Sequence, residues 1–303
     1  MSVSSNKPTL AAGRNQPAVL RGIGLFALLA GLLFLIGKVI GVAPQLDVRV
    51  GAALTGGAIA AAATALGTLP VLFAQNYSQR TYDAILGFGG GVMLGATAFS
   101  LIVPALDAAR AGGASDMVSS LTVGIGVIAG ALLILVLDKV ISHRSGALAD
   151  KNHGSSSLKH AWIFVGAVAL HNVPEGLAIG VAFAGPDLSG ARSLATAISI
   201  QDVPEGLVVA LALRTVGYGR CASAALGAAS GLVEPMAAVF GVVMISLATQ
   251  LLPFGLALAA GAMLFVIVHS VIPESQRNGH GTAASIALTL GFTLMTVLDT
   301  ALG

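Results

Sequence analysis

Nine long, predominantly apolar runs follow one another along this 303-residue chain and leave room for little else. A helix needs about 20 such residues to cross the hydrocarbon of a bilayer. Read between charge clusters and turn residues, the runs fall at about 20–42, 50–74, 83–108, 118–141, 160–184, 190–213, 221–247, 250–273 and 281–302. Only 9% of the residues are charged, against roughly a quarter in soluble domains. The sequence therefore predicts an all-α, polytopic membrane helix bundle with no soluble catalytic domain. The single Cys221 excludes an internal disulfide and Cys-ligated zinc or iron–sulfur centres. A net charge of +2 gives no signal for nucleic acid, so the expected surroundings are the lipid bilayer and small ions.

Lys and Arg set the expected orientation, because they gather on the cytoplasmic side. With a cytoplasmic N-terminus, eleven fall inside (Lys7, Arg14, Arg21, Arg80, Lys139, Arg144, Lys151, Lys159, Arg214, Arg220 and Arg277) and four outside (Lys38, Arg49, Arg110 and Arg192). The reading is a multi-pass protein of the cell (inner) membrane with its C-terminus extracytoplasmic. Residues 1–19 form a cytoplasmic tail that meets anionic lipid, and 142–159 a flexible, solvated cytoplasmic loop carrying His143 and His153. No A-x-A site ends the first run, so 20–42 is expected to stay as an extra N-terminal span rather than a cleaved leader.

The cores of the nine runs hold no Lys or Arg, yet Glu175, Asp202, Glu205 and Glu234 sit near mid-span. An acid at the bilayer centre costs at least about 2.5–3.5 kcal/mol. Four of them without a basic partner need protons or a bound cation. The competing reading is a polar knot that only holds helices together. The fifth run carries His171-Asn172-Val173-Pro174-Glu175-Gly176 and the sixth Gln201-Asp202-Val203-Pro204-Glu205-Gly206, 30 residues apart. At i, i+4 spacing His171 lies over Glu175 and Gln201 over Glu205. A turn near Gly185-Pro186-Asp187 makes the two spans antiparallel, so the motifs meet near mid-bilayer. Pro174 and Pro204 free the carbonyls of Leu170 and Ile200, and Pro235 that of Gly231. Imidazole with carboxylates and amides, and no thiolate, suits divalent transition metals better than Na⁺ or K⁺.

On these two hexapeptides the chain resembles the ZIP (Zrt-, Irt-like protein) family of divalent metal transporters, a bacterial member in particular. The likeness covers residues 50–303 as eight spans in a 3+2+3 inverted-repeat arrangement, with 20–42 as an addition. It implies movement of Zn²⁺, and of Cd²⁺ or Fe²⁺, into the cytoplasm through a binuclear His/carboxylate site, the metal being transported substrate. By the resemblance one metal would use Met93, His171, Glu175 and Glu205. A second would use Asn172, Asp202 and Glu234 with the shared Glu175 and Glu205. Gln201 departs from the His of many members and either binds metal or lines the path. A homodimer is compatible with this reading.

Outside the centre, Asp107 and Asp299 with Ser100 beneath them are candidates for an entrance, and His269, Glu274 and His143 for an exit; solvated helix ends are the plain alternative. Met93, inside Gly89-Gly90-Gly91-Val92-Met93-Leu94-Gly95, would read as core packing without the resemblance. The rival function is an intramembrane metal-dependent hydrolase, since a metal can activate water. No His-Glu-x-x-His is present, and one mid-membrane His falls short of the two or three usual in hydrolytic zinc sites.

Overall fold

The computed structural model describes residue 41 and residues 47–73, 78–149, 156–215 and 217–302, with side chains at 141–169, 215 and 302 excepted. The expected tail at 1–19 and, Gly41 aside, the expected extra span at 20–42 lie outside these residues. Regular structure among the described residues is helical throughout. Helix α1 (Val48–Thr68) is continued by the short α2 (Pro70–Phe73). Helix α3 (Gln79–Gly95) passes through a wide turn, Ala96–Ile102, into α4 (Val103–Ala111). Then come α5 (Asp116–Ala149), α6 (Ser156–Ala184) and α7 (Leu188–Thr215). A broken span follows, α8 (Arg220–Ser230) and α9 (Val233–Leu247). Helix α10 (Leu252–Val266) passes through a second wide turn, Ile267–Val271, into α11 (Ile272–Gln276), and α12 (Gly281–Leu302) ends the bundle.

Seven stretches of the described residues are long and apolar enough to cross a membrane, and α6, at 29 residues, is as long as these. The chain is an all-helical membrane bundle. Boundaries follow local chemistry. Asp47 caps α1 through the Arg49 N–H at 3.0 Å, Ser78 caps α3 through the Thr81 N–H at 3.1 Å, and Asp187 accepts the Gly190 N–H at 3.0 Å ahead of α7. Each supplies an acceptor to a helix end that would otherwise leave donors unmet. One boundary differs from expectation: α5 stays helical to Ala149 and α6 begins at Ser156, inside the stretch expected as loop. Once a helix is nucleated, each further residue adds a hydrogen bond at small cost, and Ala147-Leu148-Ala149 are strong helix formers.

The two wide turns share a cause. In each, the next helix's N–H reaches back five residues: Val103 to the Ala98 carbonyl and Ile272 to the Ile267 carbonyl. Each stands just before a proline, Pro104 and Pro273. A proline ring collides with the carbonyl four residues back, and inserting one residue into the turn relieves the collision.

The closest packing pairs α1 with α7, α6 with α9, α3 with α12 and α5 with α10. The first two pairs join through α1 and α9 into one group; α3, α5, α10 and α12 form the other face of the bundle. Met117, Leu121, Ile125, Ile128 and Leu132 on α5 are exposed, as apolar residues facing acyl chains should be.

Candidate metal centre

Both hexapeptides fall near the middle of their helices, α6 and α7, with Pro174 and Pro204 inside the helical run. Their last residues explain how the neighbouring helices come close. A Cβ on Gly176 would collide with the Glu234 carbonyl and lie 2.7 Å from the Ala237 Cβ, and one on Gly206 would collide with the Thr64 carbonyl. Only hydrogen in place of Cβ allows α6 to lie directly on α9, and α7 on α1, at the depth of the acids. Glu175 is thereby brought beside Glu234, and Gly206 beside Thr64.

Carboxyl oxygens of Glu175, Asp202 and Glu205 lie within 4.8 Å of one another. The Gln201 amide spans two of these acids, donating to Glu175 Oε1 at 2.6 Å and to Asp202 Oδ1 at 2.7 Å. Glu234 Oε1 accepts from Asn172 Nδ2 at 2.9 Å and from Thr64 Oγ1 at 3.1 Å. Asn172, Glu175, Gln201, Asp202 and Glu234 are buried. The knot is nonetheless incomplete. Asn172 Oδ1, Glu175 Oε2, Asp202 Oδ2, Glu205 Oε1 and Glu234 Oε2 are buried without a hydrogen-bond partner. An orphaned buried polar group costs about 1–3 kcal/mol, more if charged. Ion pairs among the described residues join Asp107 and Asp116 to Arg110, Glu274 to Arg277 and Asp83 to His280, and none reaches these four acids.

Such a set can hold a cation. Zn–O bonds run about 2.0–2.2 Å, so two oxygens on one ion stand at most about 4.4 Å apart. Three oxygens sharing one ion stand at most about 3.8 Å from one another, so the three-acid cluster must close by up to about 1 Å to grip it. All seven residues of this network, Thr64 included, come from the α1–α6–α7–α8/α9 group.

The remaining sequence candidates stand apart from it. His171 is half-buried one turn before Glu175, outside the acid cluster. Met93 is buried in the core beside Val92 and Ala96. It lies one turn along α3 from Gly89, whose added Cβ would stand 4.0 Å from the Gln201 carbonyl. Ser100 donates to Asp299 Oδ1 at 2.7 Å, so that half of the expected entrance is joined. Asp107 is exposed and paired with Arg110 at 3.3 Å. His269 sits in the second wide turn, stacked on Phe265 with centroids 4.9 Å apart. Glu274 pairs with Arg277 at 3.1 Å. The His143 backbone lies on α5, and its side chain is outside the described residues. Sequence reasoning missed Thr64, a lone hydroxyl in an Ala/Gly-rich run. It also missed the network in which buried Asp83 accepts from Gln79 at 2.9 Å and Asn278 at 3.1 Å and meets His280 at 2.9 Å.

The family model described as ZIP Zinc transporter matches residues 143–299. The zinc transporter ZIPB of Bordetella bronchiseptica is 45% identical over 293 residues, covering 97% of this chain and 95% of that protein. The zinc transporter GufA of Myxococcus xanthus is 42% identical over 253 residues, covering 84% of this chain and all of that protein. The human zinc transporter ZIP11 is 33% identical, with 79% of this chain and 94% of that protein covered.

Proposed function

This chain belongs to the ZIP zinc transporter family, and on that premise we propose that it carries Zn²⁺ through the bilayer by way of the mid-membrane acids. It is a transporter-family protein and not an enzyme, and the hydrolase alternative falls with that. The observation that supports the cation reading best is the set of five partnerless buried oxygens on Asn172, Glu175, Asp202, Glu205 and Glu234. A divalent ion would give them their missing partner. Glu175, Glu205, His171 and Met93 serve one ion in this reading. Asn172, Asp202 and Glu234 serve a second, with Glu175 and Glu205 bridging. Cd²⁺ and Fe²⁺ are further cargo, because the donors are oxygen, imidazole and thioether. Movement runs toward the cytoplasm, from Ser100, Asp107 and Asp299 at the outer end to His269, Glu274 and His143 at the inner.

Zinc flux into proteoliposomes tests the proposal. His171→Ala and Glu205→Ala are expected to abolish uptake while the protein still elutes as a folded species from size exclusion. Undiminished uptake by both would refute it.

A further inference from the structure

Where α1 and α7 begin and α6 ends, a groove of about 630 Å³ lies between the helices. Gly51, Ala52 and Gly56 of α1 and Ala195 of α7 line it, with Phe183 of α6. Gly51 and Gly56 are themselves buried, a Cβ on Gly56 standing 3.0 Å from Ile179 and from Phe183, so they form the closed floor, and Val48, Ala52, Thr55 and Ile59 form the open wall. Val48 and Ile59, also lining the groove, are 78% and 55% exposed. Exposed apolar residues on membrane-crossing helices face acyl chains, so the groove opens to the bilayer. From Val48 to Ile59 the helix rises about 16 Å, close to half of the roughly 30 Å hydrocarbon core. The groove is one leaflet deep.

Arg192 stands at its rim, exposed, in the second turn of α7. It gains nothing from the helix it sits on, because the N-terminal end of a helix disfavours a cation. Among the described residues, no ion pair or hydrogen bond engages its side chain. The nearby charged groups at this end are occupied. Arg49 donates to the Ala184 carbonyl at 2.7 Å, and Asp187 accepts from Ser189 Oγ at 2.8 Å and the Gly190 N–H at 3.0 Å. A guanidinium offers forked donors that match a phosphate. A volume in the range of about 300–1,000 Å³ is that of an ordinary ligand site.

We propose that this groove is a phospholipid site, with an acyl chain laid along Val48, Ala52, Thr55 and Ile59 and the phosphodiester on Arg192. An apolar trough one leaflet long with a lone guanidinium at its headgroup end is the complement of such a molecule. A basic residue between membrane helices is the usual means of holding an anionic headgroup. The helices that form the groove carry Thr64 and Glu205 deeper in the bundle. The inference is independent of which metal is carried.

The test uses the full-length protein, delipidated in detergent and titrated by native mass spectrometry and thermal melting. The probes are phosphatidylglycerol, diacylglycerol with the same chains, and inorganic phosphate. Phosphatidylglycerol is expected to bind about five- to tenfold tighter than diacylglycerol, and inorganic phosphate to leave the melt unmoved. Arg192→Gln is expected to erase the difference between the two lipids. Thr196→Phe, at an exposed lining position, is expected to weaken both while circular dichroism stays unchanged. The proposal is overturned by equal binding of the two lipids to the unaltered protein, by a preference that survives Arg192→Gln, or by a full thermal shift from inorganic phosphate alone.

Discussion

Replacing Glu205 by Gln should make the metal-free protein more stable and the metal-loaded protein worse at its task. The sign follows from geometry. With Glu175, Asp202 and Glu205 oxygens within 4.8 Å of one another, each ionised pair repels by at least about 3.5 kcal/mol at an effective dielectric constant near 20. A proton can take the place of that repulsion. It costs a carboxyl about 1.4 kcal/mol per pH unit above its ordinary value near 4.3, so about 3.7 kcal/mol at pH 7. By either route the metal-free site carries about 3.5 kcal/mol that Glu205→Gln releases. The new amide also adds two donors to a cluster in which Asp202 Oδ2 and Glu175 Oε2 lack partners. A bound divalent ion loses a full charge, and breaking a buried charge pairing costs about 3–5 kcal/mol, or two to three orders of magnitude in affinity. The assay is thermal unfolding of chelator-stripped protein with and without Zn²⁺, beside proteoliposome flux. Glu205→Gln is expected to melt higher than the unaltered protein without metal, to show no Zn²⁺-induced rise, and to carry almost no flux. A variant that melts lower without metal and keeps its Zn²⁺ response would mean that the acids are a structural knot.

Zinc uptake should rise with pH between 5 and 8, because carboxylate and imidazole ligands shed protons to bind metal; flux measured across that range tests it, and a flat profile counts against the site. Gln201→His exchanges an amide that bridges Glu175 and Asp202 for an imidazole ligand, and should shift the competition between Cd²⁺ and Zn²⁺; superimposable competition curves would make Gln201 a bystander. Asp187 lies in the turn ahead of α7, where the Gly190 backbone N–H, and after it the Ser189 hydroxyl, hold its carboxyl below the ordinary value. That stability is present above the unfolded-chain value near 3.9 and is lost as pH falls through the lower folded value. Asp187→Ala should therefore cost about 1 kcal/mol at pH 7 and little at pH 3, read as a gap between melting curves that closes in acid.

The spans were legible because lipid demands length and apolarity, and both are written in single residues. The site was half legible for the same reason: four acids in apolar runs are conspicuous wherever they fold. What escaped the sequence was whatever costs nothing in composition. Thr64 is a single uncharged hydroxyl among alanines, and its bond to Glu234 crosses 170 positions. The break at Gly231-Leu232 was marked by Pro235, which frees the Gly231 carbonyl, and Glu234 stands in the first turn of α9 at the middle of the Arg220–Leu247 span. The wide turns also escaped: Pro104 and Pro273 sit inside apolar runs, and the widened turn ahead of each leaves its span continuous. Gly176 and Gly206 were visible as letters of a motif, and their work, letting two helices touch two others, exists only in three dimensions.

The two halves of the centre correspond in shape more than in charge, and the difference is compensated across helices. The α6 motif offers His171, Asn172 and Glu175, one carboxylate; the α7 motif offers Gln201, Asp202 and Glu205, two. The helices pressed against their glycines reverse the order. Gly176 meets the residue that carries Glu234, and Gly206 meets neutral Thr64. Each half thus ends with two acids: Glu175 with Glu234, and Asp202 with Glu205. Four negative charges balance two divalent ions, whereas one ion leaves two charges for protons to cover. In a medium where uncompensated charge is costly, this balance makes the proposed two-ion occupancy electrically neutral. It also couples the second ion to pH: where protons already cover two of the acids, the second ion must displace them.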